Sequence, residues 1–279
     1  MKLEDFLLSI QTGYPSVSKD DAEAIVSEVL RIVKLDLYLY KSKELTKSEI
    51  TEIDLMLFNR AENEPLQYIF GETHFRNLIL EVGKGVLIPR PETELLVDIA
   101  LSLIKDITAP EVCDIGTGSG AIALAIASES VNSTIKGIDI SREALKYAEK
   151  NKLKNRVGNV DFLFGDLLSP FEKMDSPRQF HLITANLPYV SDELYSKLSP
   201  EVRSFEPEIA LVSGKDGLDL IRKTAEFAKK HLYPQGHIIF EFSPEQHNAI
   251  LELLYENNYI NVRIEKDLNN RSRFAVANI

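Results

Sequence analysis

The feature that most constrains this chain is a glycine-rich segment, Asp114-Ile115-Gly116-Thr117-Gly118-Ser119-Gly120. A short apolar run over residues 112–115 leads into the glycines, and an alanine-rich run over residues 121–128 follows them. Glycines allow the backbone to turn tightly and let a ligand approach main-chain N–H groups. The segment therefore predicts a strand, a ligand-binding loop and a helix in direct succession, an arrangement typical of α/β folds.

A second acidic residue narrows the class of ligand. Asp139 ends the next predicted strand, about 20 residues after the glycines, where a carboxylate can accept hydrogen bonds from both hydroxyls of a ribose. The glycines alone do not distinguish NAD from S-adenosylmethionine, because residues 118–123 also fit a dinucleotide-binding pattern. Asp114 favours S-adenosylmethionine, since a carboxylate beside the loop repels a pyrophosphate but can help to hold a cationic amino-acid ligand.

Predicted strands and helices alternate from about residue 111 onward. The strands are predicted over residues 112–115, 134–140, 161–165, 180–185, 237–242, 262–266 and 274–278. The helices of this region are predicted over residues 121–128, 141–152, 216–232 and 244–257, and a further helix over residues 94–105 precedes the first strand. Such alternation predicts a mostly parallel sheet covered by helices on both faces. No helix separates the last two strands, so we expect them to be antiparallel.

The first 70 residues have a different pattern, which predicts helices only. Helices are predicted over residues 2–11 and 19–37, with Ser18 as the cap of the second, and Thr46-Lys47-Ser48-Glu49 is a capping-box pattern ahead of a third. A β-hairpin is predicted next, with strands at residues 78–80 and 86–88 and a turn at residues 83–85. The expected organisation is a helical domain (1–73), a hairpin linker (74–92) and an α/β domain (93–279).

Composition disfavours several classes of protein. The 279 residues include one cysteine, Cys113, which permits neither an internal disulfide nor a thiolate metal cage, and the five histidines show no metal-ligand spacing. The net charge of −11 and the lack of a Lys/Arg block disfavour a nucleic-acid ligand. The acids Glu4 and Asp5 do not fit the start of a signal peptide, and the apolar runs are shorter than the ~20 residues of a membrane span, so we expect neither. We expect a soluble cytoplasmic protein without a metal.

A second motif stands at the end of a predicted strand. Asn186-Leu187-Pro188-Tyr189 follows residues 180–185 at their carboxyl end, the edge where ligands bind in open α/β sheets. The Asn186 amide oxygen and the Leu187 carbonyl can accept hydrogen bonds from a planar NH₂ group, beside which Tyr189 offers an aromatic face. In this position the motif indicates a substrate whose nucleophile is an amide or aromatic NH₂, and it decides for S-adenosylmethionine as the cofactor.

These motifs resemble those of the HemK/PrmC-type release-factor glutamine methyltransferases. The segments that carry the resemblance are residues 114–120, Asp139, residues 186–189 and Ile88-Pro89-Arg90-Pro91-Glu92-Thr93-Glu94. The last of these is highly specific to the family. The likeness spans nearly the whole chain and includes residues 64–69, Gly71, Phe75, residues 203–211, residues 266–268 and Arg273.

The resemblance implies a Rossmann-like class I methyltransferase sheet, mostly parallel with an antiparallel last strand, and a small N-terminal helical domain that recognises the substrate. It implies methyl transfer from S-adenosylmethionine, which leaves as S-adenosylhomocysteine, to the side-chain amide nitrogen of a glutamine. That glutamine lies in the Gly-Gly-Gln motif of peptide chain release factors, which act in translation termination. Release factors are then the protein partners, and a monomer that binds no nucleic acid or membrane is expected.

The family's site residues are carried over to the matching positions. The cofactor-binding residues are predicted to be Asp114, Gly116, Thr117, Gly118, Ser119, Gly120, Asp139, Asp166, Leu167 and Asn186. Catalysis is assigned to Asn186, Leu187, Pro188 and Tyr189, and substrate binding to these four with Arg90, Glu92 and Thr93. The glycines would line the methionine part of the cofactor, Asp139 would hold the ribose, and Asp166 with Leu167 would frame the adenine.

Two positions depart from the family pattern. Leu187 stands where the family normally has a proline, which keeps the backbone carbonyl, adds an N–H donor and changes the rigidity of the loop. Asn270 stands where a glycine is expected after Asp267 and Leu268. Asparagine tolerates left-handed backbone angles better than most residues, so we expect the turn to persist.

Four other functions are compatible with part of this pattern. A methyltransferase acting on the exocyclic amine of adenine would use a similar motif, although the net charge of −11 argues against a nucleic-acid substrate. A glutamine methyltransferase that modifies a ribosomal protein would share the site and differ mainly at the N-terminus. An NAD-dependent oxidoreductase would need a hydride-transfer partner residue, and none stands out. The fourth is a non-catalytic adaptor that uses the helical domain.

Overall fold

The computed structural model describes residues 1–172 and 178–279, which form two compact units: Met1–Gly71 with Ser199–Phe205, and Glu72–Leu198 with Glu206–Ile279. The helices are α1 (Leu3–Gly13), α2 (Lys19–Leu30), α3 (Lys47–Ala61), α4 (Leu66–Phe70), α5 (Glu94–Ile104), α6 (Ala121–Glu129), α7 (Arg142–Lys154), α8 (Ser169–Glu172), α9 (Asp192–Tyr195), α10 (Pro200–Phe205), α11 (Asp219–Ala228) and α12 (His247–Glu256). The strands are β1 (Glu72–Phe75), β2 (Leu78–Glu81), β3 (Glu111–Ile115), β4 (Thr134–Asp139), β5 (Val160–Phe164), β6 (Phe180–Ala185), β7 (Leu232–Glu241), β8 (Ile260–Lys266) and β9 (Ser272–Asn278).

The smaller unit is helical, and its helices begin where the capping residues predict. The Ser18 hydroxyl accepts a hydrogen bond from the Asp21 N–H at 3.0 Å and caps α2. Thr46 and Glu49 form both hydrogen bonds of a capping box at the start of α3. The core of the unit is an apolar cluster that includes Leu3, Phe6, Ile10, Ile25, Val26, Ile53 and Leu57.

Helix α2 is shorter than predicted. The apolar spacing predicts a helix over residues 19–37, but Arg31 has a φ of 52° and ends α2 at Leu30. Its N–H bonds to the Glu28 carbonyl at 3.2 Å, which closes the last turn. Leu37 is still buried in the core, but it belongs to a separate 3₁₀ helix, Lys34–Leu39. The apolar period therefore identifies the buried residues correctly and the helix end incorrectly.

The predicted hairpin exists, but its turn lies elsewhere. β1 and β2 are antiparallel with Phe75 opposite Leu78, so the turn is at Arg76 and Asn77, not at residues 83–85. Residues 86–88 form no strand, which corrects the prediction made for them. Their N–H groups are used otherwise: that of Val86 bonds to the Gly83 carbonyl at 3.2 Å, and that of Ile88 to the Glu206 carboxylate at 3.3 Å.

The larger unit is built on a sheet whose order within the described residues is β5-β4-β3-β6-β7-β9-β8. β3 is parallel to both β4 and β6, with Ile115 opposite Ile138 and Ala185. β9 is antiparallel to β7 and β8, as predicted. Chain order reverses between β3 and β6, and such a switch point opens a crevice at the carboxyl ends of the strands. The loops after β3 and β6 meet in this crevice.

Two glycines explain why α11 begins later than residue 216. Gly214 and Gly217 lie on either side of residue 216, and both have a φ of 76°, which is outside the right-handed helical range, so Gly217 cannot belong to the helix and α11 begins at Asp219. A Cβ added at Gly217 would lie 2.1 Å from the Tyr189 carbonyl oxygen, so this turn packs directly on the loop after β6. After α11 and a 3₁₀ turn, β7 begins at Leu232, before the predicted residue 237, because Leu232 pairs with Phe180 ahead of a register shift.

Apolar clusters cover the two faces of the sheet. One cluster packs α11 and α12 against β6 and β7 through residues that include Ile183, Ile221, Ile238, Phe240 and Ile250. The other packs α5 and α6 through residues that include Leu96, Val97, Leu124, Leu182 and Ile239. Among the helices of the described ranges, none has the length and apolarity needed to cross a membrane.

Candidate active site

The glycine-rich loop after β3 is tied to the neighbouring strand by its own backbone. The N–H groups of Gly116 and Thr117 both bond to the Ile138 carbonyl at 2.9 Å. Gly116, Gly118 and Gly120 have φ values of 70°, 57° and 83°, which L-residues with side chains rarely adopt. The loop therefore has the predicted backbone conformation, and it ends in α6 at Ala121.

Close packing at Gly120 adds to this backbone requirement. A Cβ at Gly120 would lie 2.9 Å from Phe162 Cζ, 3.1 Å from Leu124 Cδ1 and 3.3 Å from the Ala148 Cβ. These side chains belong to β5, α6 and α7, which hold them in place. A substitution here would both strain the backbone and overpack the core behind the cofactor loop.

We predict that Gly120→Ala lowers the free energy of unfolding by about 2–4 kcal/mol, the sum of left-handed strain and overpacking. The measurement is urea and thermal unfolding followed by circular dichroism. Gly158→Ala is the matched control, since Gly158 is exposed and an added Cβ there meets nothing within 4 Å. We expect the control to change stability by less than about 0.5 kcal/mol. Equal unfolding midpoints for the two variants would contradict the packing argument.

Asp114 lies beneath the loop. Its carboxylate is 1% exposed and accepts hydrogen bonds from the hydroxyls of Thr117 at 2.6 Å and Thr184 at 2.8 Å. Burial raises the pKa of Asp114 to about 6, against the effect of these two donors. Asp114 does not line the cavity described below. In this structure it joins the loop to β6, and its predicted role in cofactor binding stays a prediction.

Asp139 ends β4 with its carboxylate at the mouth of the loop. One oxygen accepts the Gly118 N–H at 2.8 Å, and the other accepts the Ser141 N–H at 2.8 Å. Burial raises the pKa of Asp139, while these backbone donors favour its charged form. Each carboxylate oxygen can accept more than one hydrogen bond, so both retain acceptor capacity for a ligand.

The loop after β6 presents the second motif. Asn186 Nδ2 donates a hydrogen bond to Thr93 Oγ1 at 3.2 Å, and the Tyr189 hydroxyl donates to Glu241 Oε1 at 3.4 Å. The Tyr189 carbonyl accepts from Gln246 Nε2 at 2.9 Å, which fixes the end of the loop. Leu187, where the family normally has a proline, is buried, and its Cδ2 would lie 3.0 Å from a Cβ at Gly116. Its side chain thus packs the two loops together.

The segment around Arg90 is fixed by a buried acid. Glu206 is 5% exposed, and it accepts a hydrogen bond from Arg90 Nη2 at 2.6 Å and another from the Ile88 N–H at 3.3 Å. Glu92 is partly exposed and faces Arg271 Nη2 at 3.7 Å. Arg90 and Thr93 line the cavity described below, whereas Glu92 takes part in an ion pair at the surface.

One cavity brings most of the predicted residues together. Those that line it are Arg90, Thr93, Gly116, Thr117, Gly118, Ser119, Asp139, Asp166, Leu167, Asn186, Leu187 and Pro188. Four predicted residues lie outside its wall, namely Asp114, Gly120, Glu92 and Tyr189. Asp166 and Leu167 come just after β5, and Leu167 has a φ of 48°; their predicted contact with an adenine stays a prediction.

Comparison with known proteins identifies the family. A "Methyltransferase domain" model matches residues 108–240, and a "PrmC N-terminal domain" model matches residues 11–71. The release factor glutamine methyltransferase of Fusobacterium nucleatum is 38% identical over 92% of this chain and 72% of that protein. That of Thermodesulfovibrio yellowstonii is 42% identical over 89% and 88%. The chain belongs to the release factor glutamine methyltransferase family. The resemblance found in the sequence is confirmed.

Solved methyltransferase structures share the fold. The catalytic domain of hMettl16 superposes with a TM-score of 0.58 at 16% identity, covering 84% of this chain and 82% of that one. A methyltransferase from Pyrococcus furiosus superposes with a TM-score of 0.51 at 19% identity, covering 84% and 98%. These likenesses confirm the Rossmann-like methyltransferase fold. Family membership confirms an S-adenosylmethionine-dependent methyltransferase.

The residues of the cavity fit this cofactor chemically. S-adenosylmethionine supplies an activated methyl group on a positively charged sulfur. The left-handed glycines of the loop after β3 have no side chains, so the amino-acid part of such a ligand can approach the loop backbone closely. Asp139 adds carboxylate acceptors of the kind that ribose hydroxyls need, and Ile140 and Leu167 add apolar wall beside it. The individual contacts of these residues with the cofactor stay predictions.

Sequence reasoning missed one residue of this methyltransferase site. Glu241 is 1% exposed at the end of β7, where it accepts hydrogen bonds from Thr93 and Tyr189. A signal for it was present in the sequence: it is the single acid in the apolar run Ile238-Ile239-Phe240-Glu241-Phe242. An isolated buried acid at the carboxyl end of a parallel strand is a candidate for a site residue, because burying a charge without a partner is costly.

Proposed function

We propose that this chain transfers a methyl group from S-adenosylmethionine to the side-chain amide nitrogen of the glutamine in the Gly-Gly-Gln motif of peptide chain release factors. The observation that carries the proposal is that two hydrogen-bond acceptors in the loop after β6 are open to a ligand. Within the described residues, neither Asn186 Oδ1 nor the Leu187 carbonyl accepts a hydrogen bond from the protein. Two open acceptors at the cofactor cavity match the two N–H groups of a primary amide.

The chemistry of an amide explains why positioning is the main task of this site. The nitrogen lone pair is delocalised into the carbonyl, so the nitrogen is a poor nucleophile. Asn186 and the Leu187 carbonyl would accept the two amide protons and aim the nitrogen at the methyl group, in line with the sulfur. Pro188 and Tyr189 would hold the substrate side chain beside them. Catalysis of this kind depends on orientation and fixed dipoles.

The remaining roles follow the same arrangement. Asp139 would bind the ribose, the loop of residues 116–120 the methionine part, and Asp166 with Leu167 the adenine. Arg90 and Thr93 would shape the substrate side of the site, and Glu92, which lies outside the cavity wall, would contribute from its edge. We propose that residues 1–73 recognise the release factor, that residues 74–92 link them to the methyltransferase domain over residues 93–279, and that the enzyme acts as a monomer. Release factors work on ribosomes, which would place the reaction in the cytoplasm. The substrate would be the protein, and nucleic acid would not be a direct substrate.

The proposal is tested by the choice of acceptor. Tritiated S-adenosylmethionine is offered with the purified chain to a release factor, to the same factor with its Gly-Gly-Gln glutamine replaced by alanine, to ribosomal protein and to DNA. We expect label in the intact release factor and none in its alanine variant. Label only in ribosomal protein or only in DNA would overturn the proposed substrate, and label retained by the alanine variant would overturn the proposed position.

A further inference from the structure

Four side chains form a hydrogen-bonded chain behind the loop after β6. Asn186 Nδ2 lies 3.2 Å from Thr93 Oγ1, which lies 2.8 Å from Glu241 Oε2, and the Tyr189 hydroxyl lies 3.4 Å from Glu241 Oε1. Thr93 and Glu241 are 3% and 1% exposed, so the middle of the hydrogen-bonded chain is almost fully buried. Buried polar groups of this kind interact strongly and fix one another's geometry.

The direction of each hydrogen bond follows from the donors that are present. An ionised carboxylate only accepts, so the Thr93 hydroxyl donates its single proton to Glu241. The Thr93 oxygen is then an acceptor, and it selects the NH₂ end of the Asn186 amide. Asn186 Oδ1 accordingly faces away from Thr93, and among the described residues nothing donates a hydrogen bond to it.

We propose that Glu241, acting through Thr93, is a positioning residue that keeps Asn186 Oδ1 as the acceptor presented to the substrate amide. The inference rests on the function proposed above. A proton on Glu241 would reverse the chain: Glu241 would donate to Thr93, Thr93 would donate to Asn186, and the Asn186 amide would turn its NH₂ group to the substrate. Two NH₂ groups would then face each other, and no hydrogen bond could form between them.

The groups around Glu241 make this polarity dependent on pH. Burial raises the pKa of Glu241 to about 7, and the Glu92 charge acts in the same direction. The Arg273 charge and the hydroxyls of Thr93 and Tyr189 favour the ionised form. Tyr189 stays a donor near neutral pH, because burial and the Glu241 charge raise its own pKa. Acidification through pH 7 should therefore lower kcat without weakening cofactor binding.

The decisive variants are Thr93→Val and Thr93→Ser, which are both close to threonine in size and differ in the hydroxyl. Glu241→Gln removes the charge at nearly constant volume, and Glu252→Gln makes the same change at an exposed position of α12. For each variant we would measure kcat for release-factor methylation between pH 5.5 and 8.5, together with the Kd of S-adenosylmethionine. This pH range extends about 1.5 units either side of the Glu241 pKa of about 7.

We expect T93V and E241Q to lower kcat by about 10- to 100-fold, as removal of an orienting partner does elsewhere, with Kd unchanged. T93S should restore most of the activity, E252Q should match the wild type, and the acidic fall in kcat should be absent in E241Q. The double variant T93V/E241Q should be no slower than the slower single variant, because the two residues act as one chain.

Other results overturn the inference. They are a wild-type kcat in T93V, single losses that multiply in the double variant, or weakened cofactor binding in T93S and T93V alike, which would indicate a packing role. A wild-type chain that leaves the release factor unlabelled overturns the proposed function and this inference with it. If the wild type labels the release factor and T93V has the same kcat as the wild type, only the inference is overturned.

Discussion

Asn186→Ala should abolish most methyl transfer while leaving the cofactor bound. The variant removes the amide that would orient the acceptor nitrogen, and the loss of one preorganised dipole at a reacting group typically lowers kcat by about 10²–10³-fold. Asn186 lines the cavity, but the predicted ribose and methionine contacts lie on the loops after β3 and β4. We therefore expect the Kd of S-adenosylmethionine, measured by calorimetry, to change little.

Asn132→Ala is the matched control, because Asn132 is exposed in the loop between α6 and β4. It should behave as wild type in both assays. Near-normal transfer by Asn186→Ala would refute its role in orienting the substrate. A parallel loss of transfer and of cofactor affinity would instead place Asn186 on the cofactor side of the site, in accordance with the second role predicted for it.

The site was predictable where a local pattern and a topological rule act together. The spacing of glycines in the loop after β3 and the acid that ends β4 identify a cofactor loop without knowledge of the fold. Asn186 follows a strand, and the carboxyl ends of parallel strands share one edge of a sheet, so its proximity to the loop follows from chain order. The structure has Ile115 and Ala185, the last residues of β3 and β6, directly opposite each other.

Element boundaries were less predictable, because single residues set them through contacts that apolar periodicity does not record. Arg31 ends α2 with a left-handed backbone although the apolar spacing continues to Leu37. Residues 86–88 read as a strand, yet Glu206, distant in sequence, takes the Ile88 N–H that a strand would use. Asn270 is the opposite case: its φ of 60° confirms the expected turn, since tolerance of that angle belongs to the residue itself.

Within the site, Glu241 is the residue whose role could least be predicted from the sequence. Its hydrogen-bond partners, Thr93 and Tyr189, lie 148 and 52 residues away in the sequence. The sheet order, with β7 beside β6, brings Tyr189 to Glu241, and the packing of α5 against β7 brings Thr93 to it. The sequence displays the anomaly, an acid in an apolar strand, but the partners that make it tolerable depend on the tertiary fold.

The second large effect is expected at Asp139. Asp139→Ala should raise the Kd of S-adenosylmethionine at least about 100-fold, because two hydrogen bonds to a charged carboxylate together contribute about 3 kcal/mol or more. Asp161→Ala, which removes an exposed carboxylate from the adjacent strand β5, should leave the Kd unchanged. Unchanged affinity in Asp139→Ala would refute the assignment of the ribose to this residue.

A weaker affinity alone does not identify the ribose as the partner, because Asp139 also accepts the N–H groups of Gly118 and Ser141. Truncation leaves both N–H groups without this acceptor and can loosen the loop. A double-mutant cycle separates the two effects, with an S-adenosylhomocysteine analogue that lacks both ribose hydroxyls as the second change. If the carboxylate binds the hydroxyls, the wild type should discriminate strongly between the two ligands and Asp139→Ala should not. If Asp139 only supports the loop, both enzymes should discriminate equally, and the loss of affinity would be independent of the ribose.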